Sequence, residues 1–99
     1  MLNINKTIDN DQAVLTLEGR LDTITAPQLE DAIKSEISGL TQLTLDFDQL
    51  EYISSAGLRV LLMAQKIMDK QGKMTIVDAN DDILEIFEVT GFSEILTIE

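Results

Sequence analysis

Asp46-Phe47-Asp48-Gln49-Leu50-Glu51-Tyr52-Ile53-Ser54-Ser55-Ala56-Gly57-Leu58-Arg59-Val60-Leu61-Leu62 is the stretch on which the reading of the chain turns. At its start Leu43, Leu45 and Phe47 alternate with Thr44, Asp46 and Asp48, the period of a strand with one buried face. At its end the apolar period changes. Gly57, Leu61, Ala64 and Met68 fall on one helical face, and Val60, Met63 and Ile67 on a neighbouring stripe. A strand, a short polar turn and a helix from about residue 56 to 71 are therefore expected, with Gly72 as the stop. Two serines stand at the strand-to-helix junction, where a serine hydroxyl is a preferred N-cap because it accepts a bond from a free backbone N–H.

Working outward, Leu2, Ile4 and Ile8 suggest a first strand, and the polar run 9–12 a turn. Ala13, Leu15 and Leu17 suggest a second strand paired with the first as a hairpin and ended by Gly19. Thr25 with Gln28 fits a capping box, Pro27 suits a first helical turn, and Leu29, Ile33 and Ile37 carry a helix over about 26–38 toward Gly39. After the central helix, Met74 to Val77 reads as a short apolar strand. Asn80 is placed to cap a third helix over 81–90, with Ile83, Leu84 and Phe87 facing inward and Gly91 ending it. Ile95 to Ile98 reads as a last edge strand. The order β-β-α-β-α-β-α-β implies a largely parallel mixed sheet of four or five strands under three helices, an α/β sandwich in one domain spanning residues 1–99.

Composition removes several function classes. With neither cysteine nor histidine, no disulfide, thiol nucleophile, zinc cluster or Ser-His-Asp triad can form. There is no P-loop, dinucleotide fingerprint, Gly-x-Ser-x-Gly elbow or Asp-rich calcium loop, so an enzyme is not expected, nor a cofactor or metal. Asp plus Glu number 18 against 7 Lys plus Arg, a net charge of -11. Such a surface repels nucleic acid and anionic membranes and favours a partner with a basic face. Polar residues interrupt the first 20 positions, so no signal peptide is read there, and no apolar run is long enough to span a bilayer. Both point to the cytoplasm.

The segment Tyr52-Ile53-Ser54-Ser55-Ala56-Gly57-Leu58 resembles the signature of the STAS domain family (sulphate transporter and anti-sigma-factor antagonist), and Gly19-Arg20-Leu21-Asp22 is similar to that family's first loop. The element order agrees along essentially the whole chain. The resemblance implies a stand-alone antagonist that binds an anti-sigma factor with serine kinase activity and is released when phosphorylated. The family's acceptor serine falls on Ser55. Its preceding aspartate is replaced by Ser54, which makes Ser54 the second choice of acceptor. The partner face implied comprises Asp22, Ser54, Ser55, Ala56, Gly57, Arg59, Val60, Met63 and Ile67, on a monomer or weak dimer. New negative charge at Ser55 is expected to act together with Asp22, Asp46 and Asp48 if these lie close in space. The other role carried by similar domains is that of a soluble accessory subunit of a membrane transport complex.

Overall fold

The computed structural model describes residues 1–99. The elements are β1 (Leu2–Asp9), β2 (Gln12–Leu21), α1 (Ala26–Glu36), β3 (Gln42–Ile53), α2 (Ser55–Asp69), β4 (Lys73–Val77) and α3 (Asp81–Thr90), followed by a 3-10 turn at Phe92–Glu94. They form a four-stranded sheet in the order β1-β2-β3-β4. The β1–β2 hairpin is antiparallel, with Asp9 opposite Gln12 and Asn10 at φ 56 in the tight turn between them. β2 with β3 and β3 with β4 are parallel.

Leu15, Leu17, Leu43, Leu45, Phe47, Met74 and Ile76 lie on one face of this sheet and are essentially inaccessible to solvent. Leu29 and Ile33 of α1, Leu61, Ala64 and Met68 of α2, and Ile83 and Phe87 of α3 close over them into one apolar cluster. The Phe47 and Phe87 rings stand 6.4 Å apart, tying α3 to the central strand. Burying this apolar area supplies the main favourable term in folding.

Four local expectations need correction. First, the sheet has no fifth strand. Gly91 ends α3 in the left-handed conformation (φ 82), the 3-10 turn takes up the next residues, and only one parallel bridge, Ile76 to Ile98, remains. It is made by Ile76 N–H donating to the Thr97 carbonyl and Glu99 N–H to the Ile76 carbonyl. Second, neither β2 nor β3 stops where expected. β2 passes through Gly19, at φ 110, to Leu21. β3 continues to Ile53, leaving no polar turn before α2. Two register shifts against β2 put extra residues into β3 beyond Asp46, which breaks the two-residue period after Phe47 and makes a bulged strand look like a loop.

Third, Thr25 and Gln28 form no capping box. The Thr25 hydroxyl donates to the Arg20 carbonyl at 2.8 Å, and Gln28 Nε2 donates to the Leu2 carbonyl at 2.9 Å, fastening α1 to β1 instead. Fourth, Leu84 is exposed; Ile86 takes its place beside Ile83 and Phe87 against the core. The Asn80 cap is present as expected, its Oδ1 accepting the Ile83 N–H at 2.8 Å.

Candidate functional site

The site is built where β2 and β3 end side by side, Leu21 opposite Ile53. Directly after Ile53 the chain bends at Ser54 (φ -104, ψ 176) and enters α2. Ser54 N–H donates to the Leu21 carbonyl at 2.9 Å, so the helix start is pinned to the neighbouring strand end. Gly57 makes that close approach possible. A Cβ at this position would stand 2.7 Å from Leu21 Cγ and 2.9 Å from Ile53 Cγ1, distances that no side chain tolerates. The glycine of the Ser-Ser-Ala-Gly motif is thus a packing requirement at the sheet surface.

The two serines differ sharply. Ser54 is the N-cap residue by backbone geometry, but its side chain caps nothing; Oγ is buried and makes no hydrogen bond. Ser55, the first helical residue, is exposed. Its hydroxyl stands at the positive end of a 15-residue helix that has no acidic residue in its first turn.

Asp22 lies across from them, at the mouth of the loop from β2 to α1. Its Oδ1 accepts the Ile24 N–H at 3.0 Å and the Thr25 N–H at 3.1 Å. The Thr25 backbone bond above all, with further bonds from the Thr25 hydroxyl and Ile24 N–H working against partial desolvation, holds the carboxyl below its ordinary range. Asp22 therefore shapes the loop as an ionised acceptor and keeps Oδ2 for Arg20, whose Nε lies 4.0 Å away. The Arg20 guanidinium in turn lies 4.5 Å from the centre of the Tyr52 ring. Ile24, at the loop tip, is 87% exposed.

A groove runs from this corner between α1 and α2. One cavity of about 380 Å³ is lined by residues that include Ala26, Pro27, Glu30, Ala56, Arg59 and Met63. A second, also about 380 Å³, continues along α2 past Leu62, Met63, Lys66 and Ile67, again bordered by Arg59.

The fold thus brings together Asp22, Ser54, Ser55 and Ala56 at the corner, and Arg59, Met63 and Ile67 along the groove. Gly57 and Val60 are buried and present little surface, the first against the sheet and the second on the groove floor. Asp46 and Asp48 are not part of the corner. Asp46 is level with Thr16 and Asp48 lies just before the Glu18–Gln49 pair, whereas Ile53 pairs with Leu21, which puts the two aspartates roughly 17 Å and roughly 12 Å back along the strand. The α1 wall of the groove, Ala26, Pro27 and Glu30, escaped the sequence reading because only the packing of α1 against α2 makes it a wall. Arg20 and Tyr52 escaped it because the bulges in β3 decide that they stand opposite each other.

The chain matches the family model described as Mlab, STAS domain, over residues 4–97. It belongs to the STAS domain family. It is 34% identical over 87 residues to BtrV of Bordetella bronchiseptica, named as a candidate anti-sigma factor antagonist, a match covering 86% of this chain and 75% of that protein. It is 28% identical to an anti-sigma-B factor antagonist of Listeria monocytogenes, covering 95% of this chain and 84% of the relative. Among solved structures, an anti-sigma factor antagonist from Mycobacterium paratuberculosis superposes with a TM-score of 0.89 at 21% identity, over 99% of this chain and 85% of that one. The Bacillus cell fate determinant SpoIIAA, in its phosphorylated form, gives 0.75 at 17% identity, over 100% and 91%. These two likenesses establish the fold. No helix of this STAS domain is long and apolar enough to cross a membrane.

Proposed function

We propose that this STAS domain is an anti-sigma-factor antagonist, a cytoplasmic regulator and not an enzyme, which binds a kinase-type anti-sigma factor at the α2 start and is released by phosphorylation of Ser55. The observation that carries the choice of residue is the contrast between the serines. A kinase needs a hydroxyl it can reach, and Ser55 is exposed while Ser54 Oγ is buried. The names of the Bordetella and Listeria relatives support the partner class, and the phosphorylated form of SpoIIAA shows that a protein of this fold accommodates the modification.

The physical basis is local. A phosphoserine adds about -1.5 to -2 charges and three acceptor oxygens. At the first turn of α2 the free N–H groups and the helix dipole favour that charge, so the fold survives it. The partner-facing corner changes, because the new charge joins the ionised Asp22.

The test is incubation with the cognate anti-sigma kinase and ATP, followed by mass spectrometry. Phosphate is expected on Ser55, lost in Ser55→Ala and retained in Ser54→Ala; Ser55→Asp is expected to fold and to bind the kinase more weakly. Phosphate that follows Ser54 instead would move the switch by one residue. No phosphate on either serine, with a membrane ATPase complex recovered in a pull-down, would replace the antagonist by a transport accessory subunit.

A further inference from the structure

The charges of this protein are segregated in a way that its net charge hides. Of the 7 basic residues, Lys6, Arg20 and Lys34 are held in ion pairs with Glu36, Asp22 and Glu30. The other four enter no ion pair: Arg59 and Lys66 lie on α2, Lys70 is its C-cap residue and Lys73 begins the strand that follows. The one carboxylate on α2, Asp69, accepts from Gln65 Nε2 at 2.8 Å. Glu30, the acid on the groove's opposite wall, is taken up by Lys34 at 2.6 Å. On a surface that is acidic almost everywhere else, the α2 side of the groove is a cationic strip.

The strip coincides with apolar surface. Leu62, Met63 and Ile67 are half-buried and line the second cavity between Arg59 and Lys66. From Ala56 to Ile67 the groove follows α2 for about 17 Å, the length of some three helical turns. Arg59 and Lys66 are seven residues apart, about 10 Å along the axis on one helical face.

We infer that the α1/α2 groove is a docking site for an acidic amphipathic helical segment of the partner, whose carboxylates pair with Arg59 and Lys66 while its apolar stripe covers Met63, Leu62 and Ile67. Charge complementarity selects the occupant. A basic segment meets two cations here, whereas an acidic one finds them unpaired on a chain whose net charge of -11 otherwise repels it. This deepens the antagonist reading and rests on it only for the partner's identity. It also gives the switch a second arm. Ser55 stands one turn before Arg59 on the same helical face, so a phosphate there competes for that guanidinium and repels the incoming carboxylates.

The probes are two synthetic three-turn amphipathic helices with the same leucine stripe, one with glutamates seven residues apart and one with lysines in their place. Each is titrated into the isotope-labelled full chain and followed by NMR. The glutamate peptide is expected to shift the amide signals of Ala56, Arg59, Met63 and Ile67 saturably, and the lysine peptide to leave them unmoved. Arg59→Glu with Lys66→Glu is expected to weaken the glutamate peptide by about tenfold and to admit the lysine peptide. The milder Arg59→Gln with Lys66→Gln is expected to weaken the first without admitting the second, which separates charge from any loss of fold. Ser55→Asp is expected to weaken the glutamate peptide severalfold. Equal response to both peptides, signals that move on α3 instead, or full affinity in the glutamine pair overturns the inference. So does concentration-dependent broadening of the groove without peptide, which would assign the face to a second copy of the chain. Peptide binding with no phosphate on either serine and a membrane ATPase complex in the pull-down keeps the groove and sinks the antagonist reading, so the two fail separately.

Discussion

The starts of α2 and α3 are built on opposite plans. At α3 the ends of the chain's hydrogen-bonding inventory are closed. Asn80 Oδ1 takes the Ile83 N–H, Asn80 Nδ2 donates to the Leu50 carbonyl at 3.2 Å, and Asp81 and Asp82 stand in the first turn. At α2 the N-cap side chain accepts nothing and no acid stands in the first turn. That helix is positioned by contact instead, through Gly57 against Leu21 and Ile53 and through Ser54 N–H on the Leu21 carbonyl. The difference teaches how a helix start can be firm and still electrostatically open. α3 uses its terminal N–H groups for its own stability, whereas α2 leaves that end available to an anion.

The sharpest way to break the comparison is at Gly57. Gly57→Val forces a branched side chain into the space where Leu21 and Ile53 already sit, and should destabilise the fold by about 1–3 kcal/mol in urea unfolding. A cost near zero would mean that α2 does not depend on this close approach to Leu21 and Ile53. The second test removes the cap that does exist. Asn80→Ala should cost about 0.5–2 kcal/mol, because it deprives the Ile83 N–H of its acceptor.

How far the sequence carried the site follows from the same physics. The Asn80 cap and the Gly91 terminator were legible because capping chemistry is local and depends on residues within a turn of one another. The place of the serine pair at a helix start was legible too, but the cap expected of a serine there is not made, because Ser54 Oγ is buried without a partner. The role of Gly57 was not, because its neighbours Leu21 and Ile53 come from two other strands. The bulged half of β3 was misread for a related reason. Its hydrogen bonds are to β2, and the partner strand, not β3's own periodicity, tolerates the extra residues. Likewise Thr25 and Gln28 carry the right residue types for a capping box, yet bonds to Arg20 and Leu2 claim both side chains. The fold class survived these errors because each moved a boundary without turning a strand into a helix. The exception was the C-terminal segment, where alternating apolar residues were too few after the 3-10 turn to make more than one bridge.

The start of α1 gives a third case and a pH test. There Asp22 Oδ1 takes the loop N–H groups of Thr25 and Ile24, the Thr25 bond above all, which holds the Asp22 carboxyl below the ordinary carboxylate range in the folded chain. A depressed folded pKa means that the unfolded chain binds the proton more readily. The stabilisation from Asp22 is therefore fully present above the unfolded value and is lost as pH falls through the folded one. Thermal melts should show a steeper acid loss of stability in the native chain than in Asp22→Asn, with the two curves running parallel above about pH 5.

The smallest expected effect is the most telling. Ser54→Ala removes the residue that backbone geometry makes the N-cap of α2, a change that ordinarily costs about 1 kcal/mol. Here it should cost about 0.5 kcal/mol or less, and a slight gain is within expectation. The reason lies in what the hydroxyl does. A cap stabilises by accepting an N–H bond, and Ser54 Oγ accepts none. It is also buried, so the native state carries the cost of taking a hydroxyl out of water with no bond in return, a cost that alanine abolishes. The backbone bonds that matter at this residue, Ser54 N–H to the Leu21 carbonyl and Leu58 N–H to the Ser54 carbonyl, are untouched by the substitution. A loss of 1 kcal/mol or more in urea unfolding would mean that the Ser54 hydroxyl caps α2 in solution, as Asn80 caps α3. The α2 start would then be closed like the other, and the electrostatic opening beside Ser55 would narrow by one N–H group.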